Sequence, residues 1–159
     1  MYNIAIAFDN QSDYSIVLIK NIVNKSEKSQ LRFLIFVDYT TEYNWHENWL
    51  VENAIDYKLI RINSADLGVM KIDKTKYKHI SNAAFYRLLM PSMLSHVSCF
   101  LYLDTDVYVN CDIREIFSFC SENKALSVAS TGNGFNSGVL LINTKVFNLR
   151  LPIETEVIM

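Results

Sequence analysis

The chain has 159 residues, of which 50% are hydrophobic and 20% are charged, and its formal net charge is −2. That length fits one domain of ordinary size, and the composition is typical of a globular protein and unlike that of a disordered one. The slight negative charge argues against nucleic acid or an anionic membrane as an electrostatic partner.

The first part of the chain alternates between strand and helix patterns. Its apolar periodicity predicts a strand, a helix, a strand, a helix and a strand, in that order, over residues 2–8, 16–23, 31–37, 40–54 and 56–62. Ser12 or Asp13 is expected to cap the first helix, and Val17 is expected on its apolar side. Residues 64–78 have no clear period and are predicted to form a loop.

The second part of the chain continues the alternation. The pattern predicts a helix over residues 82–90 that Pro91 ends, and a short helix that Asp112 caps and that ends at Phe119. Strands are predicted over residues 99–103, 126–129 and 138–142. Repeated strand and helix units of this kind predict an α/β fold with a largely parallel sheet and helices on both faces.

Cysteine use and targeting patterns bear on the location of the protein. The three cysteines have no metal-type spacing, and Cys99, inside an apolar run, is expected to be a core thiol. No secretory leader pattern follows Met1, and no apolar run approaches the roughly 20 residues that span a bilayer. We therefore expect a reducing compartment and a cytoplasmic location.

The most informative segment is Asp104-Thr105-Asp106, which follows the unbroken apolar run at residues 99–103. Such a run is typical of a strand buried on both faces, and ligands of open α/β sheets bind at the carboxyl ends of these strands. If the strand continued to Val109, the two carboxylates would share a face and converge on one divalent cation. The alternative is a solvated acidic turn.

Arg87 is the only cation in the apolar segment at residues 83–90. An arginine is seldom buried without a partner, and its fork of donors suits a carboxylate or a phosphate. The sequence leaves two partners open, which are Asp104 in a salt bridge and the phosphate of a ligand. The two are compatible, because an arginine in a binding site often orients an aspartate there.

Two further polar pairs are candidate binding groups, and the first of them is expected near the same edge of the sheet. Asp9-Asn10 follows the first predicted strand, where the pair would bind a base or a ribose, or would form an ordinary turn. Asn136-Ser137 precedes Gly138, which permits close approach of the backbone. The alternative for this second pair is a β-bulge or a turn.

Four segments that carry these motifs occur in one order, at residues 4–10, 79–88, 101–110 and 135–143. In this ordered set the chain resembles the family 8 retaining glycosyltransferases, a group that includes bacterial lipopolysaccharide galactosyl- and glucosyltransferases and glycogenin. The resemblance covers nearly the whole chain. It implies a GT-A fold, which is a Rossmann-like, mostly parallel sheet flanked by helices, and it implies a UDP-sugar donor with Mn²⁺ or Mg²⁺.

The resemblance also implies roles for particular residues. The donor-binding set would consist of Asp9, Asn10, Arg87, Asp104, Thr105, Asp106, Asn136 and Ser137. Within this set, Asp104 and Asp106 resemble the metal ligands, and Asp104 also resembles the residue near the ribose. Asp9 and Asn10 resemble the residues that meet the uracil, and Arg87 resembles the arginine beside the sugar and the diphosphate. Asn136 and Ser137 resemble a part of the donor-sugar pocket. No residue is identified as a catalytic nucleophile.

Two departures from the family pattern concern the rest of the site. Residues 110–134 form a shorter link between the Asp-x-Asp and Phe-Asn-Ser-Gly segments than the family usually has. The family pattern also continues beyond the position of Met159, with a Gln-Asp helix and a segment whose histidine is a third metal ligand. We therefore expect a single nucleotide-sugar-binding glycosyltransferase domain over residues 1–159, incomplete at its C-terminal end.

The expected function is transfer of a hexose from UDP-glucose or UDP-galactose to a saccharide or other acceptor, with retention of the anomeric configuration, as in lipopolysaccharide biosynthesis. The alternative is a nucleotide-sugar-binding module without transfer activity. Neither expectation involves nucleic acid or a transmembrane segment, and both leave peripheral membrane association and self-association open.

Overall fold

The computed structural model describes residues 1–8, 13–41, 44–63, 81–132 and 134–150. These residues form a sheet whose strands are β1 (Tyr2–Phe8), β2 (Leu31–Asp38), β3 (Tyr57–Ile62), β4 (Cys99–Leu103), β5 (Leu126–Thr131) and β6 (Gly134–Asn143). The helices are α1 (Asp13–Lys25), α2 (Asn44–Glu52), α3 (Asn82–Met93) and α4 (Thr144–Arg150), with 3₁₀ helices at Lys28–Gln30 and Ile113–Phe119. The predicted loop at residues 64–78 and the Ser12 cap lie outside the described residues.

The sheet is parallel over four strands and antiparallel at one end. Its order is β3-β2-β1-β4-β6-β5, and the first four of these strands run parallel to one another. Strand β6 runs antiparallel to β4 and to β5. Because β1 and β4 are parallel neighbours, their carboxyl ends meet at one edge of the sheet. The prediction of a mostly parallel α/β sheet is confirmed.

Helices cover both faces of the sheet, because the central strands are apolar on both sides. On one face, Ile4 and Leu101 pack with α1, α2 and the second 3₁₀ helix. On the other face, Ala5 and Phe100 pack with α3 and α4. These four side chains are completely buried, and burial of a large apolar side chain contributes about 1.5–3 kcal/mol relative to exposure. This packing holds β1 and β4, and therefore the edge at which they end, in place.

Two details of the predicted helices are wrong. Val17 faces solvent with 57% exposure, whereas Leu18 and Ile22 carry the apolar side of α1 into the core. Helix α2 begins at Asn44 and not at Thr40, because the chain after β2 first forms a turn on Asp38. The backbone N–H and the hydroxyl of Thr40 donate to Asp38 Oδ1 at 2.9 and 2.7 Å, which is a local alternative to helical bonding.

Pro91 does not end α3, which continues to Met93. A proline removes one backbone donor and so one helical hydrogen bond. The backbone N–H of Leu94 still donates to the carbonyl of Met90 at 2.8 Å, so the last turn closes beyond the proline. None of the helices within the described ranges is long and apolar enough to cross a bilayer.

Cys99 is not the free core thiol that the sequence predicts. It forms a disulfide with Cys120, which follows the second 3₁₀ helix, and Cys111 is free and exposed. The bond joins the first residue of β4 to a segment that packs on the sheet. Since disulfides persist mainly in oxidising compartments, the cysteines do not support the reducing compartment predicted from the sequence.

Candidate functional site

The candidate site is a cavity of about 240 Å³ at the carboxyl edge of the parallel strands. The end of β1, the first two turns of α3 and the residues that follow β4 line it. Arg87, Asp104, Thr105 and Asp106 are among the lining residues, so four members of the predicted set surround one space. A larger, apolar cavity of about 550 Å³ lies between the second 3₁₀ helix and the β5–β6 pair, away from these charges.

Asp104 is the first residue beyond β4, and a turn follows it. Its backbone N–H donates to the carbonyl of Gly138 on β6 at 2.9 Å, and its own carbonyl accepts from Val107 N–H at 3.2 Å. Strand β4 therefore ends at Leu103, and the conditional extension of this strand to Val109 is wrong. The reason is local, since the turn bond to Val107 takes the carbonyl of Asp104 out of any further strand pairing. Asp106 is exposed within this turn, yet it lines the same cavity as Asp104.

Arg87 pairs with Asp104, which is one of the two partners that the sequence left open. Its Nη2 lies 3.1 Å from Asp104 Oδ1, with the side chains 15% and 32% exposed, respectively. The other guanidinium donors bond to the backbone. Nε donates to the carbonyl of Ala84 at 2.6 Å, and Nη1 donates to the carbonyl of Ser137. Arg87 therefore ties α3 to the residue after β4 and to β6.

Tyr102 is a site residue that the sequence analysis missed. Its hydroxyl donates to Asp104 Oδ1, and the guanidinium carbon of Arg87 lies 4.8 Å from the centre of its ring. Burial, with the adjacent charge of Asp104, raises the pKa of Tyr102 far above its usual range, so the hydroxyl keeps its proton. Its place two residues before Asp104 could have indicated it, because side chains two apart in an extended chain point to the same side.

Gly138 makes room for the carboxylate of Asp104. A Cβ atom at this position would lie 2.6 Å from Asp104 Oδ2 and 3.1 Å from Asn136 Oδ1. The backbone N–H of Gly138 also donates to Asn136 Oδ1 at 2.8 Å. The sequence indicated close approach of the backbone here, and the group that approaches is the carboxylate of Asp104.

Some members of the predicted donor-binding set line the cavity, and others do not. Asn136 and Ser137 lie within β6, which starts at Gly134, and they connect to the cavity through Gly138 and Arg87. Asp9 and Asn10 lie outside the described residues, directly after β1. Their roles, and those of the other members of the set in donor binding, stay predictions.

The residues that line the cavity fit a hard divalent cation. Asp104 Oδ1 accepts from Tyr102 and Arg87, and within the described part of the chain no donor meets Oδ2. Two carboxylates with free oxygen atoms suit Mg²⁺ or Mn²⁺, which prefer oxygen ligands. No group of three or more His, Cys, Asp or Glu side chains with metal-binding geometry occurs among the described residues. A cation here would therefore take its remaining ligands from substrate oxygens or water.

Comparison with known proteins indicates the family to which the chain is similar. The sequence profile described as "Glycosyl transferase family 8" matches residues 3–148. The glycosyltransferase GlyD of Streptococcus pneumoniae is 39% identical over 75 residues, which are 46% of this chain and 9% of GlyD. The chain thus matches a small part of that relative.

Solved structures share the fold. The galactosyltransferase LgtC, in complex with donor and acceptor sugar analogues, superposes with a TM-score of 0.74 at 21% identity over 94% of this chain and 60% of LgtC. The mannosyltransferase PcManGT from Pyrobaculum calidifontis, in complex with GDP-Man and Mn²⁺, gives a TM-score of 0.58 at 8% identity over 89% of this chain and 44% of PcManGT. The GT-A fold predicted from the sequence is confirmed, while this chain spans less than two thirds of either protein.

Proposed function

The chain belongs to glycosyl transferase family 8, and from that premise we propose that it transfers a hexose from a UDP-sugar to a saccharide or other acceptor. The donor would be UDP-glucose or UDP-galactose, and the product would keep the anomeric configuration of the donor. The observation that carries this proposal is the carboxylate of Asp104, which Tyr102 and Arg87 hold by one oxygen at the carboxyl edge of the sheet.

The proposed site uses a divalent cation, Mn²⁺ or Mg²⁺, held by Asp104 and Asp106. When bound, such a cation would neutralise the charge that develops on the diphosphate of the leaving UDP. Two findings support this part of the proposal. The two carboxylates line one cavity, and PcManGT, which shares the fold, is described with Mn²⁺.

The residues of this chain would divide the remaining work. Arg87 orients Asp104 through their ion pair, and its charge would attract the diphosphate. Asp9 and Asn10 would meet the uracil, following the end of β1. Thr105, Asn136 and Ser137 would supply small hydrogen-bonding groups around the donor sugar. In this scheme residues 1–159 belong to one nucleotide-sugar-binding domain of the proposed enzyme.

The runner-up function is a UDP-sugar-binding module that transfers no sugar. The observation in its favour is that the described residues supply only two carboxylates to the cavity. A cation held by so few protein ligands leaves more coordination positions to water. Water there would weaken the electrostatic stabilisation of the leaving diphosphate.

One pair of measurements tests both functions. Isothermal titration with UDP, with and without Mn²⁺, is expected to show binding that is stronger with the metal. Turnover of UDP-glucose and UDP-galactose in the presence of Mn²⁺ and sugar acceptors then separates the enzyme from the binding module. Metal-dependent binding without turnover would favour the module, and no binding of UDP under either condition would contradict both.

A matched pair of variants locates the metal. Asp106→Asn should weaken Mn²⁺-dependent UDP binding at least about tenfold, since loss of even an outer partner of a metal ligand costs about 10–100-fold. Its fold should persist, because Asp106 is exposed. The control is Asp56→Asn, which removes an exposed carboxylate just before β3, where it pairs with Arg32. Equal binding by the two variants would contradict the assignment of Asp106.

A further inference from the structure

We propose that Tyr102 is a positioning residue of this site, whose hydroxyl fixes Asp104 so that one carboxylate oxygen stays available for the cation. The inference rests on the proposed function, since it concerns the metal that Asp104 would bind. Tyr102 is one of the residues that line the cavity, and in this scheme its hydroxyl acts through Asp104.

The apolar core does not explain the hydroxyl of Tyr102. The side chain is 1% exposed, and its ring packs in the apolar cluster between the sheet and α3. A phenylalanine would fill the same space, as Phe100 does two residues earlier on the same face. Burial of a hydroxyl costs free energy unless it is hydrogen-bonded. Here the partner is a carboxylate at the rim of the cavity.

The two carboxylate oxygen atoms of Asp104 have different surroundings. Oδ1 accepts from the Tyr102 hydroxyl and from Arg87 Nη2 at 3.1 Å. Oδ2 points toward Gly138, where a Cβ would approach it to 2.6 Å, and it meets no donor from the part of the chain that the structure describes. Two donors on one oxygen fix the rotation of the carboxylate, and in this scheme the other oxygen remains for the cation.

The ring and the hydroxyl of Tyr102 have separable roles. The guanidinium carbon of Arg87 lies 4.8 Å from the ring centre, a distance at which an aromatic face attracts a cation. Arg87 is held further by the carbonyls of Ala84 and Ser137. Tyr102→Phe keeps the ring under Arg87 and removes only the donor to Asp104, so this variant isolates the proposed role.

The experiment measures Mn²⁺ binding directly and not through turnover. The electron paramagnetic resonance signal of free Mn²⁺ is followed while protein saturated with UDP is added. Tyr102→Phe is expected to weaken Mn²⁺ binding about 10–100-fold, which is the usual effect of removing a hydrogen-bond partner from a metal ligand.

The matched control is Tyr86→Phe. Tyr86 is also completely buried on the same face of the sheet, and its hydroxyl also donates to an aspartate, Asp38 Oδ2, at 3.1 Å. Both variants lose one hydroxyl that donates to a carboxylate, so both should lower the melting temperature by similar amounts. The control should leave Mn²⁺ affinity unchanged.

The outcomes separate this inference from the proposed function. Wild-type protein that binds no Mn²⁺ in the presence of UDP would overturn the proposed function and this inference with it. Wild-type binding with an unchanged affinity in Tyr102→Phe would overturn the inference alone. An equal loss of affinity in Tyr86→Phe would also overturn it, because the effect would then reflect general stability.

Discussion

At the scale of single residues, the site depends on one charge pair that is mostly withdrawn from water. Asp104 is held by Arg87 at 3.1 Å, and Arg87 is only 15% exposed. Truncating one member of a buried pair leaves the other charge without compensation, which costs more than the net contribution of the pair. The same contact therefore bears on folding and on the chemistry of the site.

Arg87→Ala is expected to lower both stability and UDP affinity. Loss of one partner of a fully buried pair costs about 3–5 kcal/mol, and we expect about 1–3 kcal/mol here because Asp104 is partly exposed. Urea denaturation measures the first effect, and UDP titration with Mn²⁺ measures the second. The control is Arg32→Ala, whose exposed pair with Asp56 should contribute less than about 1 kcal/mol. A similar small loss in both variants would contradict the role of Arg87.

Gly138→Ala is expected to reduce metal-dependent UDP binding by displacing a carboxylate. The new Cβ would lie 2.6 Å from Asp104 Oδ2, a distance that requires Asp104 to move. Gly132→Ala is the matched control, because nothing lies within 4 Å of a Cβ at that position on the same hairpin. Titration with UDP and Mn²⁺ should show a loss for the first variant alone. Unchanged binding by Gly138→Ala would show that Asp104 can move without consequence.

At the scale of secondary-structure elements, strand register brings the site residues together. Leu103 on β4 lies opposite Val139 on β6, so the next antiparallel position places Asp104 opposite Gly138. Helix α3 packs on the face of the sheet on which Tyr102 is buried, and it brings Arg87 to Asp104. Two strands and one helix therefore determine the surroundings of a single carboxylate.

This arrangement shows what a sequence can and cannot indicate. A buried strand followed by an acidic residue is a local pattern, so β4 and the position of Asp104 after it were predictable. The turn at residues 105–106 was not, because it depends on the bond from Val107 N–H to the carbonyl of Asp104. The Cys99–Cys120 disulfide was missed for a different reason, since it depends on where a 3₁₀ helix packs against the sheet.

The segment after the acidic turn is fixed by a side chain of α1. Asn21 donates to the carbonyl of Val109 at 3.0 Å and accepts from its backbone N–H at 2.7 Å. The amide group thus bonds both backbone groups of Val109, a buried residue outside the described strands. The turn that carries Asp106 is therefore anchored at Asp104 and at Val109.

Asn21→Ala is expected to loosen this anchor. It leaves a buried N–H and C=O of Val109 without their partner, which costs about 1–3 kcal/mol for each unsatisfied group. Hydrogen exchange should become faster at the amide of Val109, and urea denaturation should show lower stability. Asn53→Ala is the control, because its exposed side chain donates to the nearby carbonyl of Trp49 and, among the described residues, to no other group. Unchanged exchange at Val109 would contradict the anchoring role.

At the scale of the whole molecule, stability depends on a core that contains the imidazole ring of His46. His46 on α2 is 1% exposed, and its ring centre lies 6.1 Å from that of Phe8 on β1. Burial lowers the pKa of His46 to about 4, although the negative charge of Asp13 acts weakly in the opposite direction. The folded protein therefore keeps this ring neutral at pH values at which an unfolded chain protonates it.

The stability of the fold is accordingly expected to fall as the pH is lowered from 7 to 5. The pKa of His46 is about 4 in the folded state and about 6.5 in an unfolded chain, so no proton is taken up in either state well above pH 6.5. Below that pH only the unfolded state binds the proton, and stability is lost by up to about 1.4 kcal/mol per pH unit. Urea denaturation should thus show a loss of about 2 kcal/mol between pH 7 and pH 5 from this group.

His46→Gln should remove that part of the pH dependence, whereas His96→Gln, which changes an exposed ring, should retain it. The same pH dependence in the protein and in His46→Gln would show that another group is responsible.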